Sequence, residues 1–306
     1  MKIFLTGGTG LIGKHFIDTF KSEHHFTVLS RSPEIARKQL PLSVRIVDDV
    51  DKIEDIGEFD AVINLAGEPI ADKRWTNNQK RIICESRWNT TSTLVNKINQ
   101  STNPPSVFLS GSAIGYYGRQ GDVDVVETTV PHKEFTHDVC VKWEAIANTI
   151  DASKTRLCIL RTGVVLASHG GALDKMALPF KLGLGGKIGS GTQYLSWIHI
   201  DDMVRAMMHL LTSDDAHGNF NFTAPRPVTN AEFSSALAKA LKRPCLFTVP
   251  RITMKLAMGE AADMILEGQK VIPQRLLASG YLFNYPDVNR ALGAIYNKDQ
   301  QPLNDL

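Results

Sequence analysis

The stretch KIFLTGGTGLIGKHF, residues 2–16, constrains this chain more than any other. An apolar run ends abruptly in Gly7, Gly8, Thr9 and Gly10, and a helical pattern begins at Leu11 and Ile12 with Gly13 inside its first turn. Glycines at GxxGxxG spacing between a strand and a helix meet three separate needs. Gly7 permits a tight turn, Gly10 lets the main chain approach a pyrophosphate, and Gly13 lets the helix pack closely on the strand. The amide groups that open the helix then face the phosphates. Dinucleotide binding by Gly7, Gly8, Thr9, Gly10, Leu11, Ile12 and Gly13 is the expectation, with a merely structural turn as the alternative.

Five apolar, β-branched runs follow one another: KIFLTG, HFTVLSR, DAVINLAG, PSVFLSGS and LCILRTGVVL. Segments of helical periodicity separate them, and strand alternating with helix predicts a parallel sheet covered on both faces, an α/β fold. The longest helix is expected from Trp75 to Gln100, with Ile82, Ile83, Leu94 and Val95 toward the core and STNPP closing it. Beyond Gly170 the glycine-dense GLGGKIGSGTQ can bring backbone close to a ligand. SWIHIDDMVRAMMHLL reads as a short strand entering a helix capped by Asp201 or Asp202, and Thr229 or Asn230 can cap the next one. The expected division is a dinucleotide-binding domain over 1–225, with roughly 165–195 crossing to a smaller α/β domain over 226–306.

With 306 residues and a formal charge of +2, the chain carries no basic stripe that would call for nucleic acid. MKIFLTGGTG is apolar for three residues before the glycines, so neither a signal peptide nor a membrane span is expected there. Cys84, Cys140, Cys158 and Cys245 show no CxxC pair and no histidine at metal spacing, which predicts no disulfide framework, no metal and a reducing cytoplasmic home. Cys140 reads as a small buried residue.

The second strand ends in Ser30 and Arg31, where an acidic residue would bind the ribose 2′-hydroxyl of NAD. A guanidinium about twenty residues past the glycines suits a 2′-phosphate instead, so NADP (NADPH) is the expected cofactor. The alternative is a solvated loop arginine.

The glycine motif, INLAG, SGSAIGYYG and Lys142 on the next helix together resemble the extended short-chain dehydrogenase/reductases. More narrowly, NLAGEPIADKRW, SAIGYYG, GLGGKIGSGTQYLSWIHIDD, NFTAPRPVTNAEF and GQKVIPQRLLASGYLF look like its atypical "epimerase family" branch, NAD-dependent epimerase/dehydratase-like proteins with a small C-terminal domain. The likeness spans nearly the whole chain. It implies a Rossmann-type doubly wound sheet with Leu65, Ala66 and Gly67 beside the cofactor. It also implies Ser112 as donor to the substrate oxygen and Lys142 as the lysine of a YxxxK pair.

Asp138 stands where that pair has its tyrosine, and an ionised carboxylate cannot replace a phenol at neutral pH. Asp138 and Lys142 can instead form an i,i+4 ion pair. Tyr116 and Tyr117, close behind Ser112, are the substitute phenols, and an aromatic wall is their other reading. Glu68 and Arg74 follow a strand end and are expected to contact substrate, with Gln193 and Trp197 on the pocket rim. His199 and Arg161 each fit a supporting role as well as a chemical one. Two functions follow: an NADP(H)-dependent oxidoreductase or epimerase/dehydratase acting on a small molecule, or a non-catalytic NADP(H) sensor. A monomer or homodimer satisfies either.

Overall fold

The computed structural model describes residues 1–297. Seven parallel strands form the central sheet: β1 (Lys2–Thr6), β2 (His25–Leu29), β3 (Arg45–Val47), β4 (Ala61–Asn64), β5 (Val107–Ala113), β6 (Arg156–Thr162) and β7 (Gly218–Phe222). Their order is β7-β6-β5-β4-β1-β2-β3. Strand order reverses between β1 and β4, which opens a crevice at their carboxyl ends.

Among the described residues nine helices of seven residues or more connect or follow these strands. They are α1 (Leu11–Phe20), α2 (Pro33–Gln39), α3 (Asn77–Gln100), α4 (Phe135–Ala147), α5 (Gly171–Lys181), α6 (Ile200–Thr212), α7 (Asn230–Leu241), α8 (Arg251–Met258) and α9 (Val288–Asn297). Side chains alternate across the sheet. Ile3 and Leu5 pack with Phe16 of α1 and Met203 and Met207 of α6, whereas Phe4, Val62 and Phe108 pack with Leu94, Val95 and Ile98 of α3. A Rossmann-type doubly wound sheet results. A third core, without strands of this sheet, gathers Leu173, Phe180, Trp197, Phe233, Leu237, Val288 and Leu292 where α5, α7 and α9 meet.

All five expected strands form, but LCILRTGVVL breaks in two. A Cβ at Gly163 would stand 2.7 Å from the Ser196 carbonyl, so the chain turns there. Val164–Leu166 leaves the sheet to pair with Trp197–His199. β3 and β7 were not expected: β3 is only three residues long, and β7, GNFNF, begins on a glycine and carries two asparagines in its five residues. α3 starts at Asn77 rather than Trp75 because Thr76 caps it, accepting from Gln79 N. Of its four expected core contacts Ile83, Leu94 and Val95 are buried, and Ile82 is partly exposed.

The cap of α6 is His199, whose ring accepts from Asp201 N at 3.1 Å, and not Asp201 or Asp202. Asp202 is buried instead and accepts from Tyr281 Oη, Asn284 N and Tyr285 N, tying α6 to the C-terminal segment. Thr229 caps α7 in a reciprocal pair with Glu232. Among the described residues no helix is long and apolar enough to cross a membrane.

Candidate functional site

The glycine motif folds as its spacing requires. Gly7 has φ +74°, and a Cβ there would lie 2.7 Å from the Leu65 carbonyl group, so β1 and β4 approach at their ends. A Cβ at Gly13 would fall 2.4 Å from Gly7 O. Gly10 N donates to Gly7 O at 3.0 Å, and Gly10 caps α1 with no side chain closing over the helix start. Gly8 is buried against Val28, while Thr9 and Gly10 are exposed and Leu11 and Ile12 half-buried. The first-turn amides of α1 therefore meet the crevice without a competing cap.

Beneath this turn Thr6 Oγ1 donates to Asn64 Oδ1 at 2.6 Å, and Asn64 Nδ2 donates to Thr91 Oγ1 at 2.9 Å. Leu65 and Ala66, half-buried, and exposed Gly67 leave β4 beside that pair. At the tip of β2 the Ser30 hydroxyl accepts from Ser32 N, and Arg31 is exposed with its guanidinium uncommitted to a hydrogen bond among the described residues. The crevice thus presents glycine backbone, helix amides and a free cation, the donor set that a phosphorylated dinucleotide requires.

The loop after β4 is tied down. Glu68 accepts from Lys73 Nζ at 3.0 Å, and this hydrogen bond holds its carboxyl below the usual range, with Arg31 adding a smaller attraction. Arg74 donates to the carbonyls of Leu256 and Ala257 at the end of α8. The guanidinium expected to contact substrate is therefore already engaged by main chain.

At the end of β5 a buried network replaces the expected free hydroxyls. Ser112 Oγ donates to Glu144 Oε1 at 2.6 Å, and Arg161 grips both oxygens of Glu144 at 2.9 and 2.8 Å. Burial disfavours charge on Arg161, but the Glu144 carboxylate outweighs it and raises its pKa. Arg161 also donates to Tyr117 Oη at 3.0 Å, and Tyr117 Oη donates to Asn221 Oδ1 at 2.6 Å. Burial pushes the Tyr117 phenol up to about 12 against the pull of Arg161, a value that disqualifies it as an acid near neutrality. Tyr116 differs: its ring lies over the Arg161 guanidinium at 3.5 Å and no hydrogen bond occupies its hydroxyl.

Asp138 and Lys142 do not join this group. Both are exposed, and Lys142 Nζ stands 4.0 Å from the Trp88 ring centroid rather than pairing with Asp138. The buried face of α4 is Thr136, His137, Val139, Cys140, Trp143, Glu144 and Ala147, which leaves the expected pair outside it. Cys140 donates to Ala113 O, and burial pushes its thiol up to about 12, in keeping with an inert buried residue. Glu144 escaped the motif reading, although spacing of four from Cys140 and eight from Thr136 marks it as the same face.

Trp197 is not a pocket residue. It is fully buried in the third core, its indole donating to Arg226 O at 3.2 Å. Gln193 Nε2 donates to Ile188 O at 3.0 Å and is half-buried. His199, besides capping α6, stacks on Tyr285 at 3.9 Å between centroids.

Comparison with known proteins agrees with this geometry. Residues 3–222 match the NAD dependent epimerase/dehydratase family, and residues 249–295 match a domain of unknown function, DUF1731. The epimerase family protein SSP1921 of Staphylococcus saprophyticus is 38% identical over 300 residues, covering 95% of this chain and 98% of that one. The crystal structure of human epimerase family protein SDR39U1 with NADPH superposes with a TM-score of 0.89 at 34% identity, covering 97% of this chain and 99% of that chain. UDP-glucuronic acid 4-epimerase from Bacillus cereus, in complex with UDP-glucuronic acid and NAD, shares the fold alone, at TM-score 0.77 and 16% identity over 97% of this chain and 98% of that one. By family match over most of its length and by near-complete alignment with these relatives, this chain belongs to the NAD dependent epimerase/dehydratase family, with that family's NAD(P)-binding fold.

Proposed function

We propose that the chain is an NADP(H)-dependent oxidoreductase or epimerase/dehydratase-type enzyme acting on a small molecule. Its cofactor part spans residues 1–225, and its smaller substrate part begins at residue 226. The observation that carries the reading is the pairing of an uncapped, glycine-lined start of α1 with an uncommitted Arg31 at the tip of β2. Amides of Leu11 and Ile12 hold the pyrophosphate, Arg31 and Ser30 take the 2′-phosphate, and Leu65, Ala66 and Gly67 border the adenosine side. The human relative solved with NADPH supports the choice of NADP over NAD.

A bound nicotinamide supplies hydride exchange at a carbon bearing oxygen. Tyr116 moves the accompanying proton, since among the described residues its hydroxyl has no partner and its ring is held against the Arg161 guanidinium. Ser112 and Glu144 set the floor beneath it. Arg31→Ala should weaken NADPH binding at least about tenfold, through the lost charge-assisted bonds, and NADH binding little. Equal losses for the two nucleotides, read by calorimetry, would remove the 2′-phosphate assignment.

One observation favours a second reading, a non-catalytic NADP(H) sensor. The inward stripe of α4 presents Thr136 and Cys140 in place of a phenol and an amine. Under that reading 4-deuterated NADPH keeps its label against a broad panel of carbonyl compounds; transfer of deuterium to any one of them rejects it.

A further inference from the structure

Two glycines at the carboxyl end of the sheet have no backbone reason to be glycine, since neither Gly67 nor Gly111 has a positive φ. Each makes room for a side chain. A Cβ at Gly67, three residues past β4, would lie 3.0 Å from Arg87 Cζ and 3.2 Å from its Nη2. A Cβ at Gly111, the residue before Ser112 in β5, would lie 3.0 Å from Trp143 Cη2. The Arg87 guanidinium stands 5.4 Å from the centroid of that indole. It therefore touches the main chain leaving β4 and lies beside the ring that packs on β5. The indole is fixed in turn: Trp143 Nε1 donates to Thr91 Oγ1 at 2.7 Å, and Thr91 Oγ1 donates to Arg87 O at 2.7 Å.

This slot holds a half-buried cation with most of its donors unspent. Arg87 Nη1 donates to Ile83 O at 2.9 Å, and among the described residues Nε and Nη2 have no hydrogen-bond partner. No carboxylate pairs with Arg87 there either; Glu68, which attracts it, accepts from Lys73. Burial lowers the pKa of the guanidinium, and the attractions of Cys140, Cys84 and Glu68 do not make up the difference. A desolvated charge without an internal partner is unfavourable until a ligand completes it. Nε and Nη2 form one edge of the planar fork, and that edge matches the two oxygens of a carboxylate or phosphate. Arg161 already uses the same edge to hold both oxygens of Glu144.

We propose that Arg87 is an oxyanion-binding residue of the cleft, its Nε–Nη2 edge taking both oxygens of one carboxylate or phosphate group on the bound ligand. The cofactor's own anions have other holders. In the reading above the pyrophosphate takes the amides of α1 and the 2′-phosphate takes Arg31, while α1 and α3 cover opposite faces of the sheet. The group on Arg87 therefore belongs to the substrate, which is a small organic acid or phosphate ester. That assignment of source rests on the cofactor reading; the site itself does not.

The test is a nuclear magnetic resonance titration of the intact chain carrying ¹⁵N-arginine, with the Arg87 Nε–H signal identified by its absence from Arg87→Lys. Oxalate and inorganic phosphate are added separately, with and without saturating NADP⁺. The Arg87 signal should shift saturably with each anion, and equally so when NADP⁺ is bound, whereas exposed Arg243 should show no saturation. Gly67→Val, whose side chain would occupy the place of the guanidinium, should lose the saturable shift. If NADP⁺ itself moves the signal and blocks both anions, the oxyanion site stands and its group belongs to the cofactor. No saturable shift with oxalate, phosphate or NADP⁺, or an undiminished shift in Gly67→Val, overturns the proposal. Failure of NADP⁺ to bind strikes the cofactor reading instead, and the anion titrations without nucleotide then decide Arg87 by the same criteria.

Discussion

Tyr117 is fully buried and donates to Asn221, whereas the adjacent Tyr116 is half-buried and stacks on Arg161 with its hydroxyl unoccupied. Neighbouring phenols thus differ in hydrogen bonding and access. In any working assay Tyr116→Phe should lower kcat by about 10²–10⁴, the usual contribution of a positioned acid. Tyr117→Phe should act mainly on stability, by about 1–3 kcal/mol, because it leaves Asn221 Oδ1 without a donor. Asp138→Asn, on the exposed side of α4, should leave both unchanged. Full activity in Tyr116→Phe would remove the phenol from the mechanism. The motif SGSAIGYYG made Ser112, Tyr116 and Tyr117 candidates, but nothing local in it separates two adjacent tyrosines. Their difference comes from Arg161 and Asn221, which arrive from β6 and β7, 44 and 104 residues away in sequence from Tyr117.

α4 and α6 show where periodicity carries an inference and where it stops. Lys142 was placed by resemblance to the family's YxxxK pair, but helical phase is fixed by what the helix buries, and α4 buries Thr136, His137, Val139, Cys140, Trp143, Glu144 and Ala147. That phase leaves Asp138 and Lys142 on the exposed side of the helix. At α6 two aspartates advertised a cap, yet His199 holds it because Asp202 is drawn into the Tyr281–Tyr285 turn.

That cap has a measurable pH signature. Burial lowers His199 from 6.5 to about 4, so between these values the unfolded chain takes up a proton that the folded chain refuses. Stability therefore rises with pH through this window and falls as pH drops from about 6.5 toward 4. Urea unfolding should show roughly 2 kcal/mol less stability at about pH 5 than at about pH 7 from this group. His199→Asn, which keeps a capping side chain, should flatten that slope. An unchanged slope in the variant would show that His199 is not the group responsible.

Across the whole molecule, the parallel sheet, its strands β1, β2, β4, β5 and β6 and the glycine turn were legible because they rest on short-range patterns. β-branched runs, glycine spacing and the strand-to-helix transition are all local. The edge strand β7, the break at Gly163 and the third core were not, since each depends on partners distant in sequence: Arg156–Thr162, the Ser196 carbonyl, and α5 meeting α7 and α9. Trp197 illustrates the loss most plainly. A large aromatic beside a glycine-rich loop suggests a pocket rim, and it proves to be the largest fully buried side chain.

Isothermal titration of the purified chain with NADPH and with NADH, repeated on Gly13→Val, bears most directly on the central claim that the start of α1 grips a phosphorylated dinucleotide. The account expects saturable one-to-one heat with NADPH, weaker heat with NADH, and neither in the variant, whose side chain would displace the Gly7 carbonyl. Absence of saturable heat with both nucleotides in the unaltered chain, or undiminished NADPH binding by Gly13→Val, would contradict it.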